Sequence, residues 1–189
     1  MDNPARSRRS RSAVLQAALA IIARDGPGRL TLEALAREAG MSKGGLMHQY
    51  RSKAAVLQAL LEHQLDYFDG FHREQQAEMG DGHPETHLAA DLATAREASS
   101  MPRSVAFAIL AAAAEEPGML SVIRDRAAER LAGIRAEAAD PDLATLRWLA
   151  AQGLVHGMLL GVSPLAAEER ERLFARLMDA EQWRRGPPP

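Results

Sequence analysis

Apolar residues recur at every third or fourth position along most of the chain, and the strict alternation of a half-buried strand is missing. The spacing predicts a first helix over residues 10–24, with Val14, Ala18, Ile21 and Ile22 facing inward and Gly26, Pro27 and Gly28 stopping it. Thr31 then suits the N-cap of a short helix whose Leu32, Leu35, Ala36 and Ala39 share one face, and Gly40 ends that helix. Ser42 caps a second short helix, on which Leu46 and Tyr50 lie four apart and pack inward. From Lys53 a long helix over residues 53–79 carries Leu57, Leu61, Leu65, Phe68 and His72 on one side, before the break MGDGHPE. Five more helices follow: residues 84–98, residues 102–114, one opened by Pro117, residues 142–162, and a last one capped by Ser163 and Pro164. In the third of these five, Leu120, Ile123, Ala127, Leu131 and Ile134 keep a clean spacing of three and four. The fold class is therefore all-α, with a three-helix, helix-turn-helix head over residues 1–53 and a larger helical part over residues 54–189.

Charge changes the picture from architecture to partner. The formal net charge of −2 conceals ten basic against four acidic residues up to Lys53, and thirteen against twenty-one after it. Basic charge gathered at one end suits a polyanion, because neutralising phosphates releases counterions and supplies most non-specific affinity. The chain has only two lysines, Lys43 and Lys53, and they bracket the second short helix. The outward side of that helix carries Lys43, Gly44, Gly45, Met47, His48 and Gln49, small, polar or basic as a helix laid in the major groove requires. His48 and Gln49 are the expected base readers. Lys53, at the start of the long helix, is placed to grip a phosphate with help from the helix dipole. The N-terminal arm, residues 1–10, lacks apolar periodicity and is expected to be disordered alone, its Arg8, with Arg11 just beyond, reaching a groove or the backbone.

The residues Gly26, Thr31, Leu35, Ala36, Ala39, Gly40, Ser42, Lys43, Gly44, Leu46, Tyr50, Ser52, Lys53 and Leu57 resemble, in type and spacing, the pattern of the tetracycline-repressor (TetR) family over about the first third of the chain. That family commonly has a tyrosine at the position of Met47 or His48; this chain has neither, and His48 is the substitute donor. The resemblance implies a homodimeric, ligand-responsive regulator of transcription, most simply a repressor of a palindromic double-stranded operator, in which Thr31 and Ser42 stand with the residues above at the DNA. It also implies a small-molecule effector, apolar or amphipathic, bound in the larger part, whose arrival moves the long helix and respaces the two recognition helices.

Two stripes on the helix over residues 142–162 bear on those roles. Gly153, Gly157 and Gly161 repeat every fourth residue, a close-approach stripe which, with Leu160 and with Phe174 and Leu177 of the last helix, marks the expected dimer interface. Trp148, Gln152, Val155, His156 and Leu159 share another side, and with Phe107, Leu110 and Met119 they are the candidate effector wall, mostly apolar with a few polar groups.

Other classes are weighed on the same residues. A helical-bundle enzyme needs a catalytic or metal constellation, and the chain has no Glu-x-x-His pair, nucleophile elbow or phosphate loop. His83 and His87 straddle Pro84 with no third ligand near, so no metal and no cofactor is expected. An adaptor without sequence-specific DNA binding is the third possibility. Cysteine is absent, and no apolar run of membrane-spanning length or cleavable leader is present, which gives a cytoplasmic protein free of the membrane as the expectation.

Overall fold

The computed structural model describes residues 4–80 and 82–183, and all of these are helix or connecting turn. The proline-rich tail from Gly186 lies outside them. Two units gather: residues 1–66 with 102–121, and residues 67–101 with 122–189.

In the first unit α1 runs Pro4–Asp25, so the arm expected to be disordered is helical from its fourth residue. Pro4 fits a helix's first turn and residues 5–9 contain no glycine, so polar helix formers extend a helix already nucleated by the apolar stripe behind them. Val14, Ala18, Ile21 and Ile22 are buried as their spacing predicts, and α1 packs on α2 (Leu32–Glu38) and α6 (Arg103–Glu115). Leu35, Leu46, Val56 and Leu60 join that core. Numbering the helices between, α3 is Lys43–Gln49, α4 Lys53–Met79 and α5 Thr86–Ala98. Pro102 is the N-cap of α6 and not its first residue. Pro117 opens a 3-10 turn, Pro117–Leu120, before α7 (Ser121–Glu137) begins. Of the row from Leu120 to Ile134 only Ile134 is fully buried, and Leu120 and Ile123 are exposed.

In the second unit α5 packs on α8 (Pro141–Leu159) and α9 (Ala167–Met178), enclosing Leu88, Leu92, Ile134, Ala151, Val155 and Phe174. Helix α8 stops earlier than its apolar pattern suggests. Gly161 takes φ +69°, which only glycine adopts freely, and the amides of Val162 and Ser163 return to the Gly157 carbonyl at 3.0 and 2.9 Å. Helix α9 is capped not by Ser163 but by Glu169, whose carboxylate accepts the Ala166 N–H at 3.0 Å.

Polar groups also enter this core. Asp91, between Leu88 and Leu92 on the apolar side of α5, is 2% exposed. Arg130 donates to Asp91 at 2.7 Å and to Asp69 at 2.6 Å, Arg126 pairs with Asp69, and the Trp148 indole N–H donates to Asp91. His72 lies alongside, its Nδ1 3.6 Å from Asp91 and without a hydrogen-bond partner. Burial first, and the nearby Arg130 second, hold its pKa below the ordinary histidine value. Arg147, also buried, is matched by Glu85 at 2.7 Å and by the Leu177 carbonyl. Asp91 and Arg147 thus each have partners, as the desolvation cost demands.

Candidate nucleic-acid interface

The site is built on two caps and one turn. Thr31 Oγ1 accepts the Ala34 N–H and Ser42 Oγ accepts the Gly45 N–H, each at 3.1 Å, so α2 and α3 both start where their sequences predict. Gly40 takes φ +65°, and the Met41 N–H reaches back to the Ala36 carbonyl at 2.8 Å, closing the turn between them. Leu46 and Tyr50 point into the core, where burial pushes the Tyr50 phenol up and keeps it neutral. That inward pair sets the phase of α3 and leaves Ser42, Lys43, Gly44, Met47 and His48 exposed.

The two adjacent glycines have different reasons. A Cβ at Gly45 would stand 3.1 Å from Ser42 Oγ, so the cap itself wants glycine there. At Gly44 a Cβ would meet nothing within 4 Å. Glycine costs roughly 0.5–1 kcal/mol against alanine inside a helix, and no neighbour among the described residues asks for it.

Three polar groups around α3 already have partners. Lys43 Nζ lies 2.6 Å from Glu33 of α2, and this contact holds the Glu33 carboxyl below its usual range. Lys53 Nζ donates to the Pro27 carbonyl at 3.1 Å. Gln49, expected on the outward side, donates from Nε2 to Ser10 Oγ of α1 at 2.6 Å and is half-buried. Its place in the helix explains the turn inward: at 100° per residue Gln49 lies about 60° from buried Leu46 but about 140° from Gly44. Arg11 is exposed, and the side chain of Arg8 lies outside the described residues.

Two family profiles match this chain: "Bacterial regulatory proteins, tetR family" over residues 14–60, and "Tetracyclin repressor-like, C-terminal domain" over residues 85–182. The chain belongs to the TetR family. The HTH-type transcriptional regulator BetI of Pseudomonas aeruginosa is 32% identical over 80 residues, 42% of this chain and 41% of that protein, so the chain spans about two fifths of the curated relatives it matches. A TetR family transcription regulator from Marinobacter aquaeolei shares the fold at TM-score 0.60 and 20% identity, over 94% of this chain and 98% of its own. The multidrug binding protein EbrR complexed with ethidium does so at TM-score 0.58 and 20% identity, over 89% and 98%. TetR-family membership makes the chain one of a family of transcriptional regulators. No helix among the described residues is long and apolar enough to cross a membrane.

The remaining TetR-type roles fare unevenly. Phe107, Leu110 and Met119 fall in the first unit, the first two exposed and the third buried, whereas Trp148, Gln152, Val155, His156 and Leu159 fall in the second. Trp148 is committed to Asp91, Val155 is core, Leu159 packs against that core, Gln152 is half-buried and His156 is exposed. The second unit has a cavity of about 520 Å³ with other walls, Glu85, Glu137, Asp140, Leu143 and Trp183 among them.

The glycine stripe dissolves into three separate causes. Gly153 is exposed with open space above it, a Cβ at Gly157 would meet Ser163 Cβ at 3.3 Å, and Gly161 ends the helix. Phe174 and Leu177 belong to the core of their own subunit, which corrects the expectation that they face a partner: both lie on the side of α9 turned toward α5 and α8. The exposed apolar row on α8 is Leu146, Leu149, Gly153 and Leu160, with Leu146 62% exposed and Leu149 51%. Sequence reasoning had Gly153 and Leu160 at the interface but passed over Leu146 and Leu149, as it did Glu33 and Ser10. The row was discoverable, because its members step by three, four and seven and so share one side of a helix. Among the described residues no group of three His, Asp or Glu could hold a metal; His83 accepts the Glu85 amide and His87 meets Gln76.

Proposed function

We propose that this chain represses transcription by binding a palindromic double-stranded operator as a cytoplasmic homodimer and is released by a small apolar or amphipathic molecule. Residues 1–53 form the DNA-binding part, and residues 54–189 the regulatory one. Lys43, Gly44, Met47 and His48 enter the major groove, while Thr31, Ser42, Arg11 and Lys53 flank it at the backbone. The observation that carries this reading is Gly44: exposed, in a capped helix, with nothing among the described residues within 4 Å of where a side chain would begin.

The row Leu146, Leu149, Gly153 and Leu160 is the surface on which a second copy seats, and two-fold symmetry then sets half-sites about 34–36 Å apart or a multiple of that. The effector enters the second unit, with Gln152 and His156 as polar contacts. EbrR is known with ethidium bound, which makes ethidium a reasonable first probe.

Selection of duplexes from a randomised library by the full-length protein tests the DNA reading. A single inverted repeat should emerge, and affinity for it should fall by about a thousandfold or more between 50 and 200 mM salt if six or more phosphates are neutralised. No enrichment would refute it. Saturable binding of ethidium to the DNA-free protein, read by its fluorescence, would support the effector role.

A further inference from the structure

Ser10, on α1, touches the chain on both sides of the recognition helix. Its Oγ accepts the Gln49 Nε2–H at 2.6 Å, from the last residue of α3, and lies 3.6 Å from the sulfur of Met41, in the turn just before α3. One hydroxyl therefore joins α1 to both ends of a seven-residue helix. A glutamine that reads adenine must present its amide oxygen and nitrogen together to the base edge. Here the nitrogen faces Ser10, and the oxygen is buried with no hydrogen-bond partner. A buried acceptor without a partner is a penalty that an apolar side chain would not carry. What the polar residue supplies in return is the bond across to α1. Arg11, one residue past Ser10, is exposed on the same helix.

We propose that Gln49 is a positioning residue and not a base reader: with Ser10 it fixes the pitch of α3 against α1, so that backbone contacts from Arg11 and base contacts from Met47 and His48 meet the duplex in one register. This rests on the DNA-binding reading above and deepens it.

The test uses the full-length protein as wild type, Gln49→Met, Ser10→Ala, Ser10→Thr and the Gln49→Met/Ser10→Ala double variant. Each is taken through the same randomised-duplex selection, then titrated against the duplex the wild type enriches, at a temperature where circular dichroism shows all of them folded. Gln49→Met and Ser10→Ala should each weaken binding about tenfold, and the double variant should be no worse than either, because both remove one contact. Ser10→Thr, which keeps the hydroxyl, should bind as the wild type does. All variants should enrich the same bases at every position. Loss of preference at one base pair in Gln49→Met, kept in Ser10→Ala, would make Gln49 a base reader and overturn the proposal. Unchanged affinity in both single variants, even with a lowered unfolding temperature, would overturn it too, since the contact would then serve folding alone. If the wild type itself enriches nothing, the DNA-binding reading falls first, visibly and without any variant.

Discussion

Gly44→Ala should push stability and DNA binding in opposite directions. The added methyl meets nothing within 4 Å, so the folded chain accommodates it without strain. Replacing glycine by alanine in a helix, with no clash, should stabilise by about 0.5–1 kcal/mol, chiefly through the lower entropy of the unfolded chain. For a chain of this size that is a rise of roughly 2–4 °C in unfolding temperature per kcal/mol. On the operator the same methyl stands where the DNA is to approach, and a displacement of the helix that loses one charge-assisted contact costs about 1.5–3 kcal/mol, or about ten- to a hundredfold in affinity. Differential scanning calorimetry and fluorescence anisotropy on the enriched duplex measure the two halves. Gly45→Ala is the control with another signature: its methyl would press on Ser42 Oγ at 3.1 Å, so it should destabilise, by about 1 kcal/mol if the cap is lost. Should Gly44→Ala gain stability and bind within twofold of wild type, the open space above Gly44 is not reserved for DNA, and the observation carrying the proposed function is gone.

Glu33→Gln frees Lys43 from its partner and should raise affinity for random-sequence duplex several-fold, steepening the plot of log K against log salt by about 0.9 per subunit; a flat response would show that Lys43 meets no phosphate. Leu149→Glu, at a half-exposed site, should leave helicity intact and yield a single subunit by light scattering, with operator affinity lost; an unchanged mass would move the interface elsewhere. Asp91→Ala leaves the Trp148 N–H without its acceptor and Arg130 with Asp69 alone, and should cost about 1–3 kcal/mol in chemical denaturation, the penalty of a buried donor left unsatisfied. His72 lies beside Asp91, with Arg130 and His87 also acting on it, and its pKa is depressed in the folded chain, by burial first. The unfolded chain therefore binds the extra proton first, so its contribution is present above about pH 6.5 and is lost as pH falls below that value. His72→Leu should flatten the loss of stability between neutral and mildly acidic pH, and an unflattened curve would assign that loss to other groups.

Much of this was legible because local rules and tertiary packing agree in the head of the molecule. Thr31, Ser42 and Gly40 each act through their own neighbours within a few residues, so their roles can be read from the sequence without knowing what packs where. Leu46 and Tyr50 were readable for the same reason, since one turn of helix fixes their shared side. Phe174 and Leu177 were not, because an amphipathic helix announces an apolar side but not whether its own chain or a second copy covers it. Trp148 looked like a pocket wall until Asp91, fifty-seven residues earlier, took its indole N–H. Asp91 itself left a trace: a carboxylate among Leu88, Leu92 and Ala95 breaks an apolar side and asks for a buried cation. Which cation, out of the twenty-one arginines, only the fold decides.

Ser10, Glu33 and Pro27 share a feature that sequence could not show: each occupies a polar side chain of, or next to, the recognition helix before any DNA arrives. The two lysines most expected at phosphates are thus already satisfied in the free protein. Contact with a duplex then exchanges partners instead of adding them, and the gain from each lysine is only the difference between a phosphate and its present acceptor. That lowers affinity for every sequence alike. It does not lower the contribution of base-edge contacts, for which exposed Met47 and His48 have, among the described residues, no hydrogen bond or ion pair to give up. Because a genome offers an excess of about 10⁶–10⁹ competing sites, a regulator gains more from a high ratio of specific to non-specific affinity than from affinity itself. The lysine partners should therefore lower affinity without changing that ratio: removing Glu33 should strengthen the random and the enriched duplex by the same factor, and unequal factors would refute it.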